Sequence, residues 1–154
     1  MSTATTENLS VLALGGTILM TAVHHVFRMG PSLILPFALT LVVATVLMWL
    51  YRRIGRGGFL VAYAALVSMI VLWFGIFDGL LDHVLKAVGA PNVTFLPGSD
   101  AAVVDTLYTL WSQDATTLFY EGTGVLTALL CIPTVLFTAQ ALVQRFGKPA
   151  HRTA

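Results

Sequence analysis

The sequence is poor in charged residues, and this scarcity excludes most soluble folds. Asp, Glu, Lys and Arg make up 10% of the 154 residues, whereas soluble domains carry roughly 25%. Eight basic and seven acidic residues give a net charge of +1, and no long basic tract is present, which excludes a nucleic-acid partner. A single cysteine, Cys131, excludes an internal disulfide and a CxxC redox motif. The solvent of most of the chain is therefore expected to be lipid.

The sequence is rich in long runs of apolar residues. A helix needs about 20 mainly apolar residues to cross the hydrocarbon core of a bilayer. The chain offers four such runs, at about residues 9–27, 33–51, 59–80 and 117–143. We therefore expect an all-α fold, an integral membrane four-helix bundle in which residues 1–154 form a single membrane domain. The first run is expected to be a retained helix and not a cleaved signal peptide, because residues 1–10 carry no Lys or Arg.

The longest break, between the third and fourth runs, has a pattern of its own. Ser99 is a suitable N-cap, and apolar residues recur at helical spacing from Asp100 to about Trp111. Tyr108 and Trp111 are residue types enriched where membrane meets water. The segment is therefore predicted to be a short interfacial helix that lies along the membrane surface.

The basic residues predict an orientation, because cytoplasmic loops of membrane proteins carry an excess of Lys and Arg. If the turn at residues 52–58 is cytoplasmic, the C-terminal tail lies on the same side. Six of the eight basic residues then lie inside: Arg52, Arg53, Arg56, Arg145, Lys148 and Arg152. Only Arg28 and Lys86 lie outside. We expect an integral protein of a plasma or inner membrane with both termini cytoplasmic.

Histidines and carboxylates are concentrated at the opposite, outer ends of the helices. Helical phase places His24, Asp78 and Glu121 on faces of small and polar residues, which are the faces that membrane helices pack together. Imidazole and carboxylate groups on separate helices are a usual ligand set for divalent transition metals. No recognised zinc spacing such as H-E-x-x-H occurs, so the prediction rests on the density of donor groups. The predicted metal site, with redox or hydrolytic chemistry, comprises His24, His25, Asp78, Asp82, His83 and Glu121.

Three alternative functions remain open from the sequence. A haem held by His24 or His25 together with His83 is a narrower form of the metal hypothesis. A non-catalytic accessory or scaffold subunit of a larger membrane complex would use the same residues as a polar clasp between helices. A small ion or proton pathway is disfavoured, because the cytoplasmic halves of the four runs lack charged residues. The expected partners are the lipid bilayer and either other membrane proteins or further copies of the chain.

Overall fold

Four long helices make up the computed structural model, which describes residues 1–93 and 108–147. They are α1 (Thr3–Met29), α2 (Ile34–Ile54, preceded by a 3₁₀ turn at Pro31–Leu33), α3 (Gly57–Ala87) and α4 (Gln113–Phe146). All four are long and apolar enough to cross a membrane. No strand occurs in the described ranges, so the predicted all-α architecture with four candidate spans is confirmed.

The helices begin and end at residues whose local chemistry suits a helix terminus. Ser2 and Ser112 accept hydrogen bonds from Thr5 N and Ala115 N, and so cap α1 and α4. Gly55, with φ of 74°, ends α2 in the left-handed conformation that glycine adopts without strain. Each helix extends beyond the apolar run that predicted it.

The predicted interfacial helix lies mostly outside the described residues. Of residues 100–111, only 108–111 are described, and this short stretch contains bends and extended chain but no helix. Leu110 N there donates to the Thr116 hydroxyl at 2.9 Å, so the chain is held against the first turn of α4.

The most extensive helix contact in the described part of the chain is the antiparallel packing of α1 against α4. Buried positions recur at three- and four-residue spacing along both helices, and half of them are Ser or Thr. Ser10 Oγ lies 2.8 Å from Thr138 Oγ1, and Thr17 Oγ1 lies 2.9 Å from Thr134 Oγ1. Small residues allow close approach, and hydroxyl pairs add interhelical hydrogen bonds where lipid supplies no hydrophobic drive. We call this contact the hydroxyl seam.

Loss of one interhelical hydroxyl pair is expected to weaken the bundle slightly. Thr17→Val keeps the side-chain shape but removes the bond to Thr134, and should lower the free energy of unfolding by about 0.6 kcal/mol. Thr45→Val is the matched control, because exposed Thr45 bonds only to Leu41 O of its own helix. Unfolding in mixed micelles of mild detergent and SDS measures both variants, and equal losses would contradict a specific contribution of the hydroxyl seam.

Glycines bring α3 and α4 together with little space between their backbones. A Cβ atom at Gly75 would lie 2.5 Å from the Cys131 sulfur, and one at Gly79 would lie 2.9 Å from the Cβ of Ala128. A Cβ at Gly124 would overlap the ring of His83. These contacts draw the second half of α3 onto α4 and place His83 inside the bundle.

By contrast, α2 packs loosely along its first half. Its buried residues are Ala44, Met48 and Tyr51, all in the half that approaches Gly55. At that end, Arg52 Nε donates to Glu7 Oε2 at 2.8 Å, and Arg145 Nη2 donates to Gly55 O at 3.0 Å. The N-terminal end of α1, the α2–α3 turn and the end of α4 therefore lie together, and the predicted site lies at the other end.

Candidate metal centre

Two helices supply the three side chains that meet at the end of the bundle opposite Gly55. His24 comes from α1, and Asp78 and His83 come from α3. Both histidines are 1% exposed and the aspartate is 17% exposed. One donor atom from each residue lies within 4.8 Å of the other two. The structure therefore places three of the six predicted ligands in one cluster, which we call the HDH cluster.

A change in helix geometry brings Asp78 and His83 to the same side of α3. The helix is α-helical over Gly57–Ile70, π-helical over Val71–Val84 and α-helical again over Leu85–Ala87. In an α-helix, residues five apart point about 140° apart around the axis. The i→i+5 hydrogen bonds of a π-helix unwind the turn and reduce this separation. The π-helical segment thus turns His83 towards Asp78, whereas the spacing of an α-helix would place Asp82, four residues on, nearest to the face of Asp78.

The hydrogen bonds of His24 determine which of its ring nitrogens faces the cluster. Its Nδ1 lies 3.1 Å from Tyr120 O and 3.0 Å from Thr123 Oγ1. A carbonyl oxygen only accepts, and the Thr123 hydroxyl donates to Phe119 O and Tyr120 O, so Nδ1 must be the donor. In the neutral ring, Nε2 then carries a lone pair, and it lies 3.8 Å from Asp78 Oδ2.

The same arrangement holds for His83, with a carboxylate in place of the carbonyl. Its Nδ1 donates to Glu121 Oε2 at 2.8 Å, while its Nε2 lies 3.9 Å from Asp78 Oδ1. Glu121 Oε1 in turn accepts from Lys86 Nζ at 2.8 Å. A histidine whose outer nitrogen donates to a carboxylate has its ring orientation and its more basic nitrogen set for a metal ion. Glu121, predicted as a ligand, thus lies behind His83 and supports it.

The atoms that face one another in the HDH cluster lack hydrogen-bond partners. Within residues 1–93 and 108–147, the buried side-chain atoms without one are His24 Nε2, Asp78 Oδ2 and His83 Nε2. All three are acceptors in the tautomers just derived, and acceptors confined together repel one another. Buried polar groups are nearly always paired, because an unpaired one costs about 1–3 kcal/mol. The cluster therefore offers three acceptor atoms that could hold a cation.

Tyr120 and Arg28 close the cluster on the side of α1 and α4. The Tyr120 ring stacks on His24 with 4.3 Å between centroids, and its hydroxyl accepts from Arg28 Nη1 at 2.9 Å. Neither Tyr120 nor Thr123 was among the residues predicted for the site. Their position in the buried three- and four-residue repeat of α4 was a detectable signal, although it did not identify their partners.

The two other predicted ligands lie beside the HDH cluster. Asp82 is buried and accepts a hydrogen bond from Asn92 Nδ2 at 2.8 Å, which links α3 to the chain that follows it. His25 Nδ1 donates to Thr21 O at 3.0 Å, and its ring packs edge-on against Phe74. The adjacent histidines therefore have different surroundings, as their separation around an α-helix requires.

The donor set could suit a transition metal: it has two imidazoles, one carboxylate and a second carboxylate behind one imidazole. The three atoms come from α1 and α3, while α4 supplies the groups that orient both rings. The chain matches no family model, no curated protein and no solved structure.

Proposed function

We propose that the protein is an integral membrane protein that binds one divalent transition metal ion between His24 Nε2, Asp78 and His83 Nε2. The observation that carries the proposal is the convergence of three buried acceptor atoms without hydrogen-bond partners. Each imidazole donates the N–H of its other ring nitrogen to a fixed oxygen, as metal-binding histidines do. A cation at this point removes the repulsion between the facing lone pairs.

The spacing of the three donors suits a metal ion after a small contraction. Donor atoms bound at about 2.0–2.2 Å to one metal lie no more than about 4.4 Å apart, and the three atoms here lie within 4.8 Å of one another. Side-chain rotations that move the donor atoms by a few tenths of an ångström bring them within this limit. The imidazole rings of His24 and His83 have centroids only 4.7 Å apart, which favours a bare ion over a haem between them.

Two histidines and one carboxylate leave coordination positions open. This donor set occurs in catalytic zinc sites, where a metal-bound water completes the coordination, and in non-haem iron(II) centres. Zinc would supply Lewis-acid and hydrolytic chemistry, and iron would supply redox chemistry. Arg28 and Lys86 lie nearby, where they balance the negative charge that Asp78 and Glu121 bring to the outer end.

The proposed orientation places the metal centre at the outer membrane surface and both termini in the cytoplasm. Its support is the charge distribution along the chain and the packing at the Gly55 end. Arg52 and Arg145 form contacts at that end, whereas Arg28 and Lys86 form contacts at the HDH end. Lys148 and Arg152 belong to the same argument but lie outside the described residues.

Metal analysis of the purified full-length chain tests the proposal. The protein, extracted in mild detergent and stripped with a chelator, is dialysed against Zn²⁺, Fe²⁺ or Mn²⁺ and analysed by mass spectrometry for metals. One ion per chain is expected for at least one of the three metals. A folded chain that retains none of them contradicts the proposal, and the polar-clasp role in a larger membrane assembly then accounts better for the cluster.

Removal of the charge behind His83 is expected to weaken metal binding without abolishing it. Glu121→Gln keeps an acceptor oxygen for His83 Nδ1 but loses the carboxylate, and should reduce metal affinity about 10- to 100-fold. Glu7→Gln is the matched control, since Glu7 is a buried glutamate paired with Arg52 at the opposite end. Equal affinities of the two variants, measured by competition with a chelator, would show that Glu121 does not support the centre.

A further inference from the structure

Two connected grooves lead from the lipid-facing side of the bundle to the HDH cluster. The larger, of about 590 Å³, lies between α1, α2 and α3, and the smaller, of about 270 Å³, lies at its outer end. They share the side chains of Leu33, Phe37, Trp73 and Phe74. Both lie beside the first half of α2, which has no buried residue before Ala44. Small-molecule sites usually occupy about 300–1,000 Å³.

Polarity is distributed unevenly along the two grooves. Thr21 and Thr40 contribute hydroxyls to the larger groove, but each donates to a carbonyl of its own helix, and the remaining wall is apolar. The smaller groove is lined by His25 and Asp78 together with aromatic and aliphatic side chains. A molecule that fits both grooves therefore has an apolar tail and a polar head, and its head ends beside the HDH cluster.

His25 and Asp78 present hydrogen-bond acceptors at the outer end. Because His25 Nδ1 donates to Thr21 O, the Nε2 of the neutral ring is left with a lone pair. Asp78 contributes a carboxylate. Two acceptors select a ligand that donates, such as a hydroxyl compound, over a ketone or an ether. The rings of Phe37 and Phe74, 5.6 Å apart and both close to His25, favour a flat aromatic head group.

We propose that these grooves bind a membrane-dissolved phenol or quinol whose hydroxyl donates to His25 Nε2 and whose alkyl tail lies between α2 and α3. The tail enters from the hydrocarbon core, where Trp73 is 61% exposed at the rim. The inference depends on the proposed metal centre in one respect only. The hydroxyl oxygen would lie next to Asp78, and an ion bound there would be within its reach. The acceptors and the apolar walls do not depend on the metal.

Fluorescence of Trp73 provides a direct test in lipid nanodiscs. Trp49 and Trp111 are replaced by Phe, which leaves Trp73 as the reporter. The probes are brominated para-decylphenol, which quenches nearby indole, and the matching brominated decylbenzene, which lacks the hydroxyl. After correction for partition into the bilayer, the phenol should bind about five- to tenfold more tightly, the worth of one hydrogen bond to a buried acceptor. Equal binding of the two probes overturns the proposal, because a lipid tail alone would then suit the grooves.

Three variants locate the probe. His25→Leu should abolish the preference for the phenol, and His25→Gln, whose amide oxygen accepts, should restore most of it. Thr40→Phe narrows the larger groove and should weaken both probes alike. A phenol preference that persists in His25→Leu, or binding of both probes unchanged by Thr40→Phe, contradicts the proposed position.

Titrations with and without Zn²⁺ separate this inference from the metal proposal. A phenol preference that depends on His25 in a chain that binds no metal supports the grooves and contradicts the metal centre. A chain that binds zinc but does not distinguish the two probes supports the metal centre and contradicts the grooves. If both proposals hold, zinc loading should tighten phenol binding further, because the phenol oxygen can then approach the ion.

Discussion

His83→Ala is expected to bind Zn²⁺ at least about 100-fold more weakly than the wild-type chain, because loss of a direct ligand exceeds the 10- to 100-fold effect of losing a supporting group. His24→Ala and Asp78→Asn should each cause a loss of the same order, since each removes one of three donors in a small donor set. Affinity is measured by competition with a chromogenic chelator in mild detergent. Helical circular dichroism confirms that each variant remains folded.

Asp82→Asn is the control that tests whether the metal ligands are the three residues of the HDH cluster or the six residues predicted from the sequence. Asp82 is an acidic residue of the same helix, four residues after Asp78, and it accepts a hydrogen bond from Asn92 Nδ2. Asparagine retains an oxygen that can accept this bond, so zinc affinity should stay close to that of the wild type. A loss in Asp82→Asn as large as that in His83→Ala would move the metal centre away from the HDH cluster.

Gly124→Ala is expected to disrupt the centre although residue 124 carries no donor group. A Cβ atom at this position would overlap the ring of His83, which packs directly on the α4 backbone. The ring must then move away from Asp78 and Glu121, and overpacking of this kind costs about 1–3 kcal/mol. We expect lower stability in mixed-micelle unfolding, together with a loss of zinc affinity that approaches the loss in His83→Ala.

Gly122→Ala is the matched control, two residues away on the same helix. A Cβ atom there would meet no atom within 4 Å. Alanine is the better helix former by about 1 kcal/mol, so this variant should be as stable as the wild type or more stable. If Gly124→Ala behaves like Gly122→Ala, with full stability and full zinc affinity, then His83 does not pack against α4 as described.

The helices and their limits follow from local sequence. The apolar runs predicted four spans, Ser112 caps the fourth helix a few residues before its apolar run at about 117–143, and Gly55 ends the second. These features depend on composition and on residues within a turn of one another, which is why a single sequence reveals them. The orientation across the membrane remains a prediction, and the interfacial helix falls mostly on residues that are not described.

The sparse charge, the four apolar helices and the gathering of histidines and carboxylates at one end were determined by the sequence alone. Only the tertiary structure decided which of six candidate donors meet. The donors that meet depend on the rotation and register of each helix, and packing between helices sets both. The hydroxyl seam aligns His24 with Tyr120 and Thr123. Gly124 leaves room for the ring of His83. The π-helical turns of α3 then bring His83 closer to the face of Asp78, and a periodicity of 3.6 residues does not predict such a change.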